Sequence, residues 1–184
     1  RRGMEYHEAL MPAVIGALCG YGVAAAVGMV GLQPIWQFPT VSGLGGIDLA
    51  YAVAAGVVGA VIAIIFTYLT IGLRRVVGVV PPNARPAVGG AVFAGLALIS
   101  PYALTNGEVQ MEHLITHPAT VSVLLIAAAV KLVSSSVGVV CGWRGGFIIP
   151  LFFVGFVLGR AADHVVPGHG WAIAAALMVA ANVG

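Results

Sequence analysis

The sequence predicts an all-α protein that crosses the membrane several times. Of its 184 residues, 60% are hydrophobic and only 8% are charged, and the mean hydropathy is +1.06. A soluble domain is about 45–50% apolar and about 25% charged, so these values argue against a soluble enzyme, and we expect no enzymatic activity. The charges separate long neutral blocks, several of which exceed the roughly 18 apolar residues of a candidate membrane helix. These blocks are residues 9–47, 49–73, 86–107, 113–130, 145–159 and 164–184.

The neutral blocks predict helices of uneven length. The first runs from about Tyr6 to Val30 and is rich in Gly and Ala, which let membrane helices approach closely. The second begins at Asp48 and ends near Arg74 and Arg75 or a few residues beyond, with the charges in the order that a helix dipole favours. Further helices are predicted over about 84–99, 108–116, 119–137 and 147–161, and from about 170 to the end. Uneven helices broken by Gly and Pro are typical of transporters and channels.

One helix start carries the candidate chemistry. Two glycines precede the helix predicted to start at Phe147, and a proline occupies its first turn, where a missing N–H costs nothing. The first N–H groups of a helix lack internal partners, and the helix dipole favours an anion there. We therefore predict an anion site at the N–H groups of Gly146, Phe147 and Ile148. The full set of anion-binding candidates is Gly145, Gly146, Phe147, Ile148 and Pro150. The alternative is a plain turn that presents the helix start to water.

The stretch GGFIIPLFFVGFVLG, residues 145–159, resembles the G-x-F-x-P region of the CLC family of chloride channels and chloride/proton exchangers. Lys131, the serines at 134–136 and the break at 105–107 also stand where the family has similar features. The resemblance covers about residues 6–184 and the helices that the family letters I to O. It implies a partial CLC-type fold with tilted and broken helices. In that fold, residues 6–30 form a dimer-interface helix and residues 48–184 form most of the second inverted repeat.

The resemblance implies transport of chloride or a similar small anion, by a channel or by a proton-coupled exchanger. It also implies a homodimer with a pore in each subunit, in a multi-pass arrangement, and we expect the plasma membrane of a bacterium. The pore Ser of a G-S-G-x-P loop, the gating Glu of a G-K/R-E-G-P motif and the late pore Tyr are missing from the sequence. We therefore expect the chain, residues 1–184, to be a fragment that holds one wall of the pathway.

The sequence departs from the family pattern at two positions. The family's aromatic residue usually stands two residues before the proline, where this chain has Ile148, and Phe147 precedes it. Arg144 stands where a proline or a small residue is common. Its charge could raise the anion concentration at the pore mouth, or its side chain could simply extend to water.

Other functional classes find less support in the residues. An unrelated secondary transporter should place ionisable side chains within its spans, and Lys131 alone stands out there; a membrane scaffold is the remaining alternative. His113 and His117 have the i, i+4 spacing of two metal ligands on one helix face, but Pro118 follows directly and no acidic partner is near. We predict no metal and no cofactor. The dispersed basic residues predict no binding of nucleic acid, and we interpret Asp163 as a helix cap at the membrane interface.

Overall fold

The structure is a computed structural model that describes residues 2–29, 36–38, 45–143 and 145–183, with side chains from residue 10 to residue 182. All regular elements in these residues are helical, which confirms the predicted all-α class. The chain divides into two compact units, Arg1–Gln37 and Phe38–Gly184. The helices are α1 (Arg2–Ala26), α2 (Gly46–Val77), α3 (Arg85–Ile99), α4 (Glu108–Thr116), α5 (Val121–Cys141), α6 (Ile148–Ala162) and α7 (Gly170–Val183), with a 3-10 turn at Pro101–Ala103.

The first unit consists of α1, which ends earlier than predicted. The N–H of Gly28 donates to the carbonyl of Ala25 at 3.1 Å, and the N–H of Met29 donates to that of Ala24 at 2.9 Å. Gly28 has a φ of 75°, and a left-handed glycine with this pair of bonds is a common helix stop. The helix therefore closes at Ala26, and the predicted last residue, Val30, lies outside the described part of the chain.

The second unit begins with α2, whose start and end confirm the prediction. Asp48 lies in the first turn and accepts a hydrogen bond from the N–H of Gly45 at 2.8 Å, while Arg74 and Arg75 lie in the last turn. Its 32 residues make a rod about 48 Å long at about 1.5 Å per residue. Within the described residues, α2 and α5 are the helices long and apolar enough to cross a membrane. The uneven lengths predicted from the sequence are thus observed.

The core of this unit is built around α6, which packs against both α5 and α7, while α7 also packs against α2. Phe153, Val154, Phe156 and Val157 of α6 are fully buried. Gly155 lets α7 come close, because an added Cβ there would lie 2.6 Å from the backbone of Leu177. Backbone-to-backbone packing of this kind is what small residues allow in membrane helices.

The connection from α5 to α6 positions the candidate site. α5 continues to Cys141, four residues beyond the predicted end, because the apolar run after the serines keeps its helical conformation. It stops at Gly142, which has a φ of 82°, and the N–H of Trp143 then donates to the carbonyl of Gly138 at 3.0 Å. α6 begins at Ile148, one residue after the predicted start, with Phe147 as its N-cap residue.

Candidate anion site

A cavity of about 700 Å³ lies at the start of α6. Residues of α3, the segment 103–106 and α5 form the rest of its wall. Of the five predicted site residues, Gly145, Gly146, Phe147 and Pro150 line this cavity, whereas Ile148 is outside the lining. Four residues chosen from the sequence therefore meet at one cavity, although their role there stays a prediction.

The helix start carries unused backbone donors. The first backbone bond of α6 runs from the N–H of Leu151 to the carbonyl of Phe147 at 3.0 Å. For the N–H groups of Gly146, Phe147 and Ile148, no acceptor is found among the residues that the structure describes. Donors at a helix start carry the positive end of the helix dipole. The arrangement can accept an anion in chemical terms, and the anion site stays a prediction.

The helix start is open at the surface of this chain. The side chains of Phe147 and Ile148 are 48% and 54% exposed. The ring of Phe147 lies 6.0 Å from that of Phe66 on α2, centroid to centroid. An anion bound here would be covered on one side by this chain, which agrees in geometry with the expectation that the chain supplies one wall of a pathway.

The cavity is also lined by polar residues that were not among the predicted site residues. Thr105 and Asn106 contribute from the break before α4, and Ser134 and Ser135 contribute from α5. The hydroxyl of Ser134 donates to the carbonyl of Lys131 at 3.1 Å, within its own helix. The signal for Ser135 was the run of three serines about two helical turns before Gly142, and two of the three line the cavity.

Lys131 lies directly behind this wall and is fully buried. Its ammonium donates to the carbonyls of Leu104 and Thr105 at 3.0 and 3.3 Å and to Oε1 of Gln110 at 3.1 Å. The same ammonium lies 5.0 Å from the centre of the Phe153 ring. The residue that stood out as an ionisable group within a span is thus bonded to the segment that lines the cavity.

The loop between α5 and α6 is fixed to α3 through Trp143. Its Nε1–H donates to the carbonyl of Pro86 at 3.1 Å, and its ring meets that of Phe93 edge-on at 5.5 Å. Both Trp143 and Phe93 line the cavity. Arg144, for which two roles were left open, lies outside the described residues.

The histidine pair of α4 is close but is not joined by acidic groups. The rings of His113 and His117 stack at 4.5 Å, and Nδ1 of His117 lies 2.8 Å from the hydroxyl of Thr116. In the described ranges, no group of three or more His, Cys, Asp or Glu side chains could hold a metal ion. The two rings contact each other at the end of α4.

Glycine-broken helices of uneven length with a cavity at a helix start are typical of the class of membrane transport proteins. The chain belongs to the voltage-gated chloride channel family, whose pattern, described as "Voltage gated chloride channel", matches residues 5–184. The resemblance seen in the sequence is thereby confirmed. The alternative of a membrane protein unrelated to this family no longer stands.

Similar proteins from enterobacteria carry the name "Putative ion-transport protein YfeO". Those of Escherichia coli (strain SMS-3-5 / SECEC), Escherichia fergusonii and Escherichia coli O7:K1 are each 32% identical to this chain over 104 residues. The matched segment is 55% of this chain and 24% of each relative, so the chain spans about a quarter of the length of these relatives. The comparison with solved structures found no match to the chain.

Proposed function

We propose that this chain forms one wall of a pathway for chloride or a similar small anion, with the anion held by backbone amides at the start of α6. The observation that carries the proposal is that the N–H groups of Gly146 and Phe147 find no acceptor among the described residues, at the edge of the cavity of about 700 Å³. Family membership supports transport of an ion in general. The chemistry of the cavity supports an anion.

The physical basis is the exchange of water for fixed dipoles. An ion that enters a membrane protein loses part of its hydration shell, and the backbone groups of the pathway must replace those contacts. Helix-start N–H groups suit an anion, because the fold already holds the donors in place and the dipole adds a partial positive charge. Binding by neutral amides is also weak enough to allow release, which conduction requires.

The rest of the cavity wall also suits a negatively charged ion. No acidic side chain is found among its described lining residues. The hydroxyl groups of Thr105 and Ser135 and the amide NH₂ of Asn106 can donate hydrogen bonds to an anion, whereas the donor of Ser134 is used on the carbonyl of Lys131. The charged Lys131 is bonded to the same wall from behind. An anion would therefore find donors and a positive charge at this wall and no carboxylate among its described residues.

The setting of the pathway follows from the family. We propose a homodimer with a pore in each subunit, embedded in the plasma membrane of a bacterium, with α1 at the dimer interface. Large apolar side chains of α1 are exposed, including Met11, Ile15, Leu18 and Val23, so this helix offers an apolar surface to a partner subunit or to lipid. The choice between channel and proton-coupled exchanger concerns the whole protein.

The proposal is tested by flux from liposomes that contain the full-length protein. Vesicles loaded with KCl are diluted into a chloride-free medium with valinomycin, and chloride release is followed with an electrode. We expect release well above that of empty vesicles. A pH gradient that drives chloride uphill would identify an exchanger, and chloride release without proton movement would identify a channel. Release no faster than from empty vesicles would overturn the proposal.

A further inference from the structure

Lys131 is a fully buried charged side chain in the middle of the apolar helix α5. Burial of an ammonium is costly unless its donors are satisfied. An ammonium has three donors and no acceptor, and this one has three oxygen partners within 3.3 Å, all of them neutral. The number of donors equals the number of acceptors, so the buried ammonium is satisfied and holds these three oxygens.

The oxygens belong to an unusual turn. Thr105 has a φ of 60° and is the non-glycine residue with positive φ in the described part of the chain. A β-branched residue is a true outlier in this conformation, which persists only where the surroundings hold it. Here the ammonium binds the carbonyls of Leu104 and Thr105, one on each side of the Thr105 Cα. The ammonium of Lys131 is thus bonded to the backbone on both sides of the strained residue.

Gln110 completes the arrangement. Its Nε2 donates to the carbonyls of Pro101 and Leu104, both at 3.0 Å, and its Oε1 accepts from Lys131. We call Lys131 and Gln110 together the clamp. The clamp fixes the segment from Pro101 to Thr105 through bonds to its backbone oxygens, so the positions of these residues depend on two side chains from outside the segment.

The clamped segment is part of the cavity wall, whereas Lys131 is not. Ala103, Leu104, Thr105 and Asn106 line the cavity at the start of α6, and Lys131 is absent from the lining. The ammonium of Lys131 therefore reaches the cavity wall through the turn whose carbonyls it binds.

We infer that Lys131 is a positioning residue, whose ammonium holds the strained Thr105 turn and thereby sets the wall of the anion cavity. The inference rests on the proposed function for its consequence in transport. Its structural part, that the ammonium holds the turn, stands independently and has its own measurement.

The sharpest test pairs Lys131→Met with a second change that removes the strain. Lys131→Met keeps the length of the side chain but removes a donor from the carbonyl of Thr105 and leaves that of Leu104 with Gln110 alone. Thr105→Gly relieves the turn, because glycine populates positive φ readily. The hydroxyl of Thr105 lines the cavity, so Thr105→Gly alone is measured beside the double variant and serves as its reference.

Amide hydrogen exchange in the full-length protein in detergent reports on the turn directly. We expect Lys131→Met to speed exchange over residues 101–110 by about tenfold or more, since segments that lose their supporting bonds open locally. The double variant Lys131→Met/Thr105→Gly should return within about threefold of the wild type, because its turn needs no clamp. Gln110→Leu should change exchange in the same direction by less, and serves if Lys131→Met fails to fold.

Chloride flux in liposomes reports on the consequence. We expect flux to fall about tenfold in Lys131→Met relative to the wild type, but not in Lys131→Met/Thr105→Gly relative to Thr105→Gly alone, because the wall residues keep their positions when the strain is relieved. Unchanged exchange in Lys131→Met, or no recovery of exchange on adding Thr105→Gly, would overturn the inference. Faster exchange with unchanged flux would overturn the link to the cavity. If the wild type itself carries no anion, the proposed function fails, and the exchange data still decide whether Lys131 holds the turn.

Discussion

The carboxylate of Asp48 lies 2.6 Å from the imidazole of His169, Oδ1 to Nδ1, although 121 residues of chain separate them. The contact joins the first turn of α2 to the residue directly before α7. The ring of Tyr51, one turn into α2, packs on the same imidazole with ring centres 5.0 Å apart. The starts of two helices that pack along each other are thus fixed by one polar contact.

We expect Asp48→Ala and His169→Ala each to lower the thermal stability of the full-length protein in detergent. Asp48→Ala should have the larger effect, because it also removes the acceptor for the N–H of Gly45. Since residues in direct contact couple, the double variant should lose less stability than the sum of the two single variants. Additive losses would show that the contact contributes nothing to stability.

Gly155→Ala tests the close packing of α6 on α7. The new methyl group would lie 2.6 Å from the backbone of Leu177, and such overpacking costs about 1–3 kcal/mol or more. Gly95→Ala is the matched control, because it lies within α3 with no other atom within 4 Å of the added carbon. An Ala there should be neutral or stabilising by up to about 1 kcal/mol. Equal effects of the two changes on unfolding in detergent would contradict the packing described for α6.

Asp163 acts as the cap that its isolated position predicted. One of its oxygens accepts from the N–H groups of Gly168 and Gly170 at 3.2 and 3.0 Å, and the other accepts from Arg160 at 3.1 Å. Asp163→Ala should therefore cost about 1–3 kcal/mol, the usual range for hydrogen bonds to a charged group. Asp163→Asn keeps an acceptor for the two N–H groups and should cost less. Equal losses from both changes would indicate that the ion pair, and not the cap, carries the contribution.

The helices could be predicted from the sequence because their ends carry local signals. Asp48 and the pair Arg74–Arg75 mark α2, and α4 has the predicted bounds, because a left-handed Gly107 precedes it and Pro118 follows it closely. The ends that were misplaced depend on backbone conformation. Gly28 stops α1 early and Gly142 stops α5 late, and a sequence with many glycines does not show which of them adopts a positive φ.

The site could be predicted only in part, for the same reason. The helix start at Gly145–Phe147 is a local motif, and three of its residues line the cavity together with Pro150. Thr105 and Asn106 reach the cavity from about 40 positions earlier in the chain. Lys131 is bonded to the carbonyls of Thr105 and Leu104, which lie 26 and 27 positions earlier than itself. Contacts of this kind depend on how α5 and α6 pack against each other. The hydrophobic pattern predicts both helices but not their relative position.

Whether the start of α6 holds the anion is tested by chloride flux through the full-length protein carrying Phe147→Glu or Phe147→Gln. The two side chains have the same size, and an acid at a helix start stabilises the helix, so a difference between them reports on charge at the site. We predict that the glutamate reduces flux about tenfold or more relative to the glutamine, because a fixed negative charge repels an anion at close range. Equal flux through the two variants would contradict the account.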